Sequence, residues 1–177
     1  MEADLLMVHL NALQEALQPE GTPQFKGSWQ ALESLVRQLG RPVGVKETGC
    51  GISRSTSQRM AQLGLAAIDV SGLGGTHWGR IEGARAEAGS LRGLAAATFA
   101  NWGIPTARSV QESAEANMGG QTEIWASGGV RTGLDAAKLI ALGASRVGFA
   151  KPVLEAAMES EAILDQWMTL REFELKV

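Results

Sequence analysis

Residues 123–133 read EIWASGGVRTG. An apolar run, Glu123–Ser127, delivers a Ser-Gly-Gly turn into an amphipathic segment that begins near Thr132. A short apolar run bounded by glycine reads as a buried strand. The segment Thr132–Leu142 sets Leu134, Ala137, Ile140 and Ala141 on one helical face and stops at Gly143. A strand that enters a helix through glycines leaves backbone N–H groups free at the positive end of that helix, which makes the turn an anion site. A second strand, Arg146–Ala150, runs into another helix through Gly148-Phe149-Ala150-Lys151-Pro152. Two such turns in succession match the way (β/α)8 barrels hold a phosphate, on the loops after their last two strands.

The same alternation extends toward the N-terminus. Further strands are expected at Leu5–Leu10, Pro42–Lys46, Ala66–Ser71 and Ile104–Ala107, with helices at Ser28–Leu39 and Ser53–Leu63 and a helical pattern over Trp167–Val177. Strand and helix in turn mean βαβ units and a parallel sheet. Two details favour a barrel over a doubly wound sheet. Polar residues recur at the C-terminal ends of the strands (His9, Asn11, Lys46, Glu47, Ser71, Thr106, Ser127), where a barrel collects its active site. Gly49-Cys50-Gly51 begins like a dinucleotide fingerprint, but Arg54 stands where the third glycine belongs. The fold class expected is therefore α/β, a single incomplete TIM (β/α)8 barrel domain over residues 1–177. About six of the eight βα units are expected, the first two being missing, because a whole barrel takes roughly 250 residues. Elements are expected to be absent at both ends.

Composition narrows the function. The chain is 45% hydrophobic and 20% charged with a net charge of −3, which speaks against disorder, nucleic-acid coating and polybasic membrane binding. Its single cysteine, Cys50, rules out an internal disulfide framework and a Cys-rich zinc site and suits a reducing cytoplasm. Apolar runs fall short of the roughly 20 residues of a membrane helix, and MEADLLMVHLN lacks signal-peptide features. The 22 glycines exceed the usual share of about 7 per cent and indicate tight turns and close backbone approaches.

Strand alternation puts His9 and Asn11 on one face, with Gln14 and Glu15 in the loop beyond, a set suited to orienting a polar group and holding a hard cation through oxygen. Lys46 ends an apolar strand, either as a salt-bridged strand end or as a cation aimed at an anionic ligand. Ser71-Gly72-Leu73-Gly74-Gly75-Thr76 brings backbone N–H groups close to an anion or cofactor ring, or else is a mobile turn. His77 and Trp78 either lie over a bound ring or form an exposed loop pair. Glu82 is a second carboxylate near the site or the polar face of a short helix, Cys50 a small buried thiol, and Trp102 a residue packed on the barrel. Two histidines do not make a multi-histidine metal site.

In this order, His9-Leu10-Asn11-x-x-Gln14-Glu15, Val45-Lys46-Glu47, Ser71-Gly72-x-Gly74-Gly75-Thr76, Trp102-Gly103-Ile104-Pro105-Thr106, Ser127-Gly128-Gly129-Val130-Arg131 and Ala150-Lys151-Pro152 resemble the type 2 isopentenyl diphosphate isomerases. The resemblance implies a TIM-barrel flavoenzyme that interconverts isopentenyl and dimethylallyl diphosphate by a 1,3-allylic proton shift. It implies FMN kept reduced by NADPH, Mg2+, a small diphosphate substrate, no nucleic-acid or membrane partner, and a homo-oligomer at full length. Gln14 would contact substrate near the reacting carbons, Glu15 would ligate Mg2+, and His9 and Asn11 would line the pocket. Glu82 would be a secondary acid or base. Lys46, Thr76 and Ser71 would lie at the flavin, and Gly128, Gly129, Val130, Arg131, Ala150 and Lys151 would hold its phosphate. The family's N-terminal section, with a basic, His-rich motif and the first two strands, has no counterpart here, so the chain alone is expected to be inactive. Other FMN barrels need a late catalytic His-Arg pair or a cysteine within Gly72–Thr76, and neither is present. A non-catalytic FMN-binding fragment, or half of a split barrel, is the alternative.

Overall fold

A computed structural model of the chain describes residues 2–177. Five strands, β1 (Leu6–His9), β2 (Val43–Lys46), β3 (Ala67–Asp69), β4 (Glu123–Ala126) and β5 (Arg146–Val147), form one sheet in chain order. Every pair is parallel. Between them run α1 (Ala12–Leu17), α2 (Ser28–Gln38), α3 (Arg54–Ala61), α4 (Trp78–Arg85), α5 (Leu91–Thr98), α6 (Thr106–Ala116) and α7 (Gly133–Ala141), and α8 (Lys151–Glu159) and α9 (Glu161–Glu174) follow β5. Parallel strands require such crossovers, and strands in sequential order with helical connections are barrel topology.

The register separates two faces. Val45, Ile68 and Ile124 align across β2, β3 and β4. With Val43, Val70 and Ala126 they form a buried layer under Leu32 of α2, Met60 of α3, Val110 of α6 and Ala136 and Leu139 of α7. On the opposite face one row runs His9, Lys46, Asp69, Trp125, Arg146. Its residues are exposed or half-buried. Helices thus cover one side, and a polar row lines the side that a closed barrel would enclose.

Five strands form where six were expected. Ile104–Ala107 is not a strand: its only sheet-like link is an isolated bridge between Pro105 and Leu73, and Thr106 already begins α6. Pro105 has no N–H to give a ladder and serves as the residue ahead of a helix. Arg146–Ala150 shortens to Arg146–Val147, because Ala150 caps α8. Gln14 and Glu15 lie in α1 rather than in a loop, since the Asn11 carboxamide accepts from the Gln14 N–H and starts a helix there. In α7 the buried residues are Gly133, Ala136 and Leu139, while Leu134 and Ile140 face outward. That helix is apolar nearly all round, so spacing alone does not choose its inner face. Trp102 is 61% exposed rather than packed on the barrel, and stands edge-on to Phe99 at 5.8 Å between centroids.

The two glycine turns interlock. Gly129 has φ +81°, and a Cβ there would run into the Gly74 carbonyl oxygen; a Cβ on Gly75 would press on Gly129. Gly40 has φ +65° and nothing around it. Gly40→Ala should therefore cost about 1 kcal/mol, the backbone term alone. Gly129→Ala should cost at least about 3 kcal/mol, since the turns must also part. Urea unfolding of both variants checks this, and equal losses would mean that the interlock is not tight.

Candidate functional site

Beyond the C-terminal ends of β1 and β2, a cavity of about 890 Å³ is lined by α1, the loop after β2, residues 102–104 and side chains of α2 and α3, among them Trp29, Leu32 and Met60. His9, Asn11, Gln14 and Glu15 line it together with Glu47, Cys50 and Trp102. The four residues singled out near the N-terminus are thus brought together. Asn11 is buried, capping α1 through its oxygen while its amide nitrogen donates to Thr48 Oγ1 at 3.0 Å. His9 Nε2 lies 2.9 Å from the same hydroxyl. Gln14 Oε1 is buried with no donor among the described residues. The Glu15 carboxylate accepts from the Thr22 N–H at 2.8 Å and from the Gln18 amide at 3.2 Å. Each carboxylate oxygen keeps a lone pair free.

The loop after β2 is organised by Glu47, whose role the sequence did not disclose. Its Oε2 accepts from the N–H groups of Thr48 at 2.6 Å and Cys50 at 2.5 Å. Burial nevertheless outweighs these donors and pushes its pKa up to about 7. Cys50 is the small buried thiol expected, and burial, with Glu47 beside it, pushes the thiol up to about 11. Burial, then Lys46, lowers the pKa of His9, with Glu15 opposing.

Lys46 stands between His9 and Asp69 in the polar row. Asp69, another residue that sequence reading passed over, accepts from Ser127 Oγ at 2.9 Å and from the Ser71 N–H at 3.1 Å. Burial raises its pKa. Ser71 itself has φ +33°, the one non-glycine residue described in the left-handed region, and its carbonyl accepts from Gly49 and Gly51. Such strain persists only where the surroundings over-determine it. Thr76 lies against Gly49, where a Cβ would meet the Thr76 carbonyl oxygen.

Thr106 Oγ1 donates to the Gly128 carbonyl at 2.7 Å and holds the Ser127–Arg131 turn from below. Arg131 bends back, donating to Gly129 O at 3.2 Å and Gly74 O at 3.4 Å. The N–H groups of Gly129, Val130 and Ala150 have no acceptor among the described residues. Thr132 and Asp135 form a capping box at the start of α7. From α9, Glu174 accepts from the Gly133 N–H at 2.5 Å and Arg171 donates to the Arg131 carbonyl at 2.8 Å. The Lys151 ammonium is exposed and pairs with Glu155.

Glu82 and His77 depart from expectation. Glu82 is buried in α4, both oxygens held by Arg85 at 3.2 and 2.9 Å, and does not line the cavity. His77 neither lies over the site nor sits in an exposed loop. It is buried, its Nδ1 accepting from the Arg80 N–H to cap α4 and its Nε2 3.6 Å from Cys50 Sγ. Among the described residues no cluster of three or more His, Cys, Asp or Glu is placed to hold a metal, and no helix is long and apolar enough to cross a membrane.

Parallel strands in sequential order with helical crossovers define the class, an α/β barrel fold of which five strands are described, and the chain belongs to the FMN-dependent dehydrogenase family, which it matches over residues 10–176. Among individual proteins it is 55% identical over 176 residues to isopentenyl-diphosphate delta-isomerase of Legionella pneumophila (strain Corby), covering 99% of this chain and 51% of that one. It is 54% identical to the protein of that name from Bdellovibrio bacteriovorus, again over 99% of this chain and 50% of the other. The chain thus spans about half the length of these curated relatives. A crystal structure of mandelate oxidase with 3,3-difluoro-2-hydroxy-3-phenylpropionic acid superposes with a TM-score of 0.61 at 26% identity, over 88% of this chain and 39% of that one.

The raised pKa of Glu47 has a consequence for stability. A carboxyl at 4.5 when unfolded and about 7 when folded contributes stability fully below 4.5 and loses it as pH rises to about 7. That span is worth about 3 kcal/mol. Glu47→Gln keeps an acceptor oxygen and cannot ionise, so its unfolding free energy should lack this decline. Parallel urea titrations across the range measure it; identical slopes would mean that Glu47 does not carry the effect.

Proposed function

We propose that this chain is the flavin-binding part of an FMN- and Mg2+-dependent isopentenyl diphosphate isomerase of isoprenoid biosynthesis. The observation that carries the reading is the pair of interlocked glycine turns, with unpaired N–H groups at Gly129, Val130 and Ala150, beside strand ends that present His9, Lys46 and Asp69. Close approaches that exclude a Cβ and free N–H groups suit a phosphate and a flat ring. Gly128, Gly129, Val130, Arg131, Ala150 and Lys151 would hold the FMN phosphate, Arg131 by swinging off the carbonyls it now reaches. Lys46, Ser71 and Thr76 would meet the flavin.

Gln14, with an acceptor oxygen buried and unpaired, would orient substrate, and His9 and Asn11 would complete that wall. Glu15 fits Mg2+ as its single protein carboxylate, since this ion is commonly bound by one or two carboxylates with phosphate oxygens and waters. Reduced FMN, maintained by NADPH, would supply the acid–base chemistry that an unactivated alkene demands of a stronger acid than side chains provide. Glu82 would join proton transfer only after release from Arg85. The oxidase reading that the mandelate oxidase structures invite is disfavoured, because His77 is spent as a helix cap and His9 stands on the first strand. A non-catalytic fragment or split-barrel half is the second reading, favoured by strand count: five strands are present among the described residues where a barrel has eight.

Titrating the chain with FMN and following flavin absorbance and fluorescence tests the site. Saturable binding is expected, weakened at least about tenfold, or 1.4 kcal/mol, by Lys46→Ala and by Arg131→Ala. Absence of saturable binding would remove the flavin assignment from these five strands. Anaerobic assay with Mg2+, reduced FMN and isopentenyl diphosphate should show no turnover by the 177-residue chain alone; turnover would show that no further strands are needed.

A further inference from the structure

Thr48 joins two residues of the cavity wall, and the direction of each hydrogen bond there follows from donor chemistry alone. The Gln14 backbone N–H can only donate, so the Asn11 atom 2.8 Å from it is the carboxamide oxygen. The Asn11 nitrogen is then the end that lies 3.0 Å from Thr48 Oγ1. That nitrogen also only donates, so the Thr48 hydroxyl accepts from it. The hydroxyl has one proton of its own, and His9 Nε2 lies 2.9 Å away. If the oxygen accepted from Nε2 as well, its proton would have no acceptor among the described residues. The arrangement that keeps the hydroxyl proton within the protein has Nε2 accepting, so that a neutral His9 carries its own proton on Nδ1. Burial and the nearby Lys46, which lower the pKa of His9, favour that neutral ring.

We infer that Thr48 is a positioning residue that locks His9 as the Nδ1–H tautomer, making the ring a fixed hydrogen-bond donor to an anionic oxygen of the ligand in this cavity. The ligand clause rests on the function proposed above; the tautomer does not. The chain of directions runs from the α1 cap at Asn11 across to Thr48, beyond β2, and back to the imidazole on β1, so a helix start sets the proton on the strand that precedes it. His77, the only other histidine in the sequence, is held the opposite way. Its Nδ1 accepts from the Arg80 N–H, which leaves the proton on Nε2 for the Trp102 carbonyl at 2.9 Å.

Two histidines in opposite tautomers make the test self-controlled. In a long-range nitrogen–carbon NMR spectrum of the ring-15N-labelled protein, the unprotonated nitrogen resonates well downfield. The expected spectrum has Nε2 downfield in His9 and Nδ1 downfield in His77. Thr48→Val should move the downfield nitrogen of His9 to Nδ1 and leave His77 unchanged, and Thr48→Ser should restore the wild-type pattern. A wild-type His9 with Nε2 protonated, or averaged between tautomers, overturns the inference, as does a folded Thr48→Val that keeps Nδ1–H. The His77 pattern reports whether the variant is folded; if it is lost, the wild-type and Thr48→Ser spectra decide. Inorganic pyrophosphate added with Mg2+ should then shift His9 Nδ1 and not His77. No shift in a protein with the stated tautomers overturns the anionic-ligand reading and leaves the role of Thr48 standing.

Discussion

The common register of the five parallel strands is the constraint from which the rest of the molecule follows. Side chains alternate across a strand, so one alignment settles both faces at once. With His9 beside Lys46, Lys46 beside Asp69 and Asp69 beside Trp125, the apolar row Val45, Ile68, Ile124 is committed to the helices. A slip of one residue in β2, β3, β4 or β5 would place a charged side chain under a helix and an aliphatic one among polar groups. The buried layer thus enforces the polar row, although the polar row contributes little burial itself.

Above that row, backbone shape matters more than side-chain size. Four turns meet at the strand ends, and they meet closely because glycine occupies the positions of contact. Gly72, Gly74 and Gly75 face Gly128 and Gly129, and Gly49 faces the Thr76 carbonyl. Hydroxyls and carboxylates then tie the turns together: Thr106 to Gly128, Asp69 to Ser127 and Ser71, Glu47 to Thr48 and Cys50. This explains how a cluster of polar groups stays ordered with little apolar packing of its own. It also explains why α9 reaches back, through Glu174 and Arg171, to a turn on a different element.

Much of the architecture was legible because it rests on local signals. Apolar runs bounded by glycine or polar turns located four strands well, and the Ser53 and Thr132 caps located two helix starts. The failures are equally physical. At Ile104–Ala107, short apolar character competed with a proline that cannot enter a ladder, and the proline prevailed. In α7, where apolar residues surround the helix, the inner face was set by what lay beside it. The site was legible as a set of residue types and their order, since glycine turns and strand-end polar residues are local. The residues that were missed, Thr48 and Asp69, act through partners on other strands and turns, whereas Glu47 and His77 were singled out without the loop-holding and capping roles that they take. Pairings such as Asn11 to Thr48 or Asp69 to Ser127 have no signature in sequence spacing.

The direct pairing of β3 with β4 leaves more than fifty residues, including α4, α5 and α6, as a single excursion between neighbouring strands. The other neighbouring pairs are much closer in the chain. Chain closure grows costlier with the length of chain enclosed, and non-local pairings are the slow ones. Of the four strand pairings, β3 with β4 encloses the longest stretch of chain and is the costliest to close. The glycine turns that interlock across that union meet only once this excursion has closed, so that end of the site hangs on the least local pairing in the sheet.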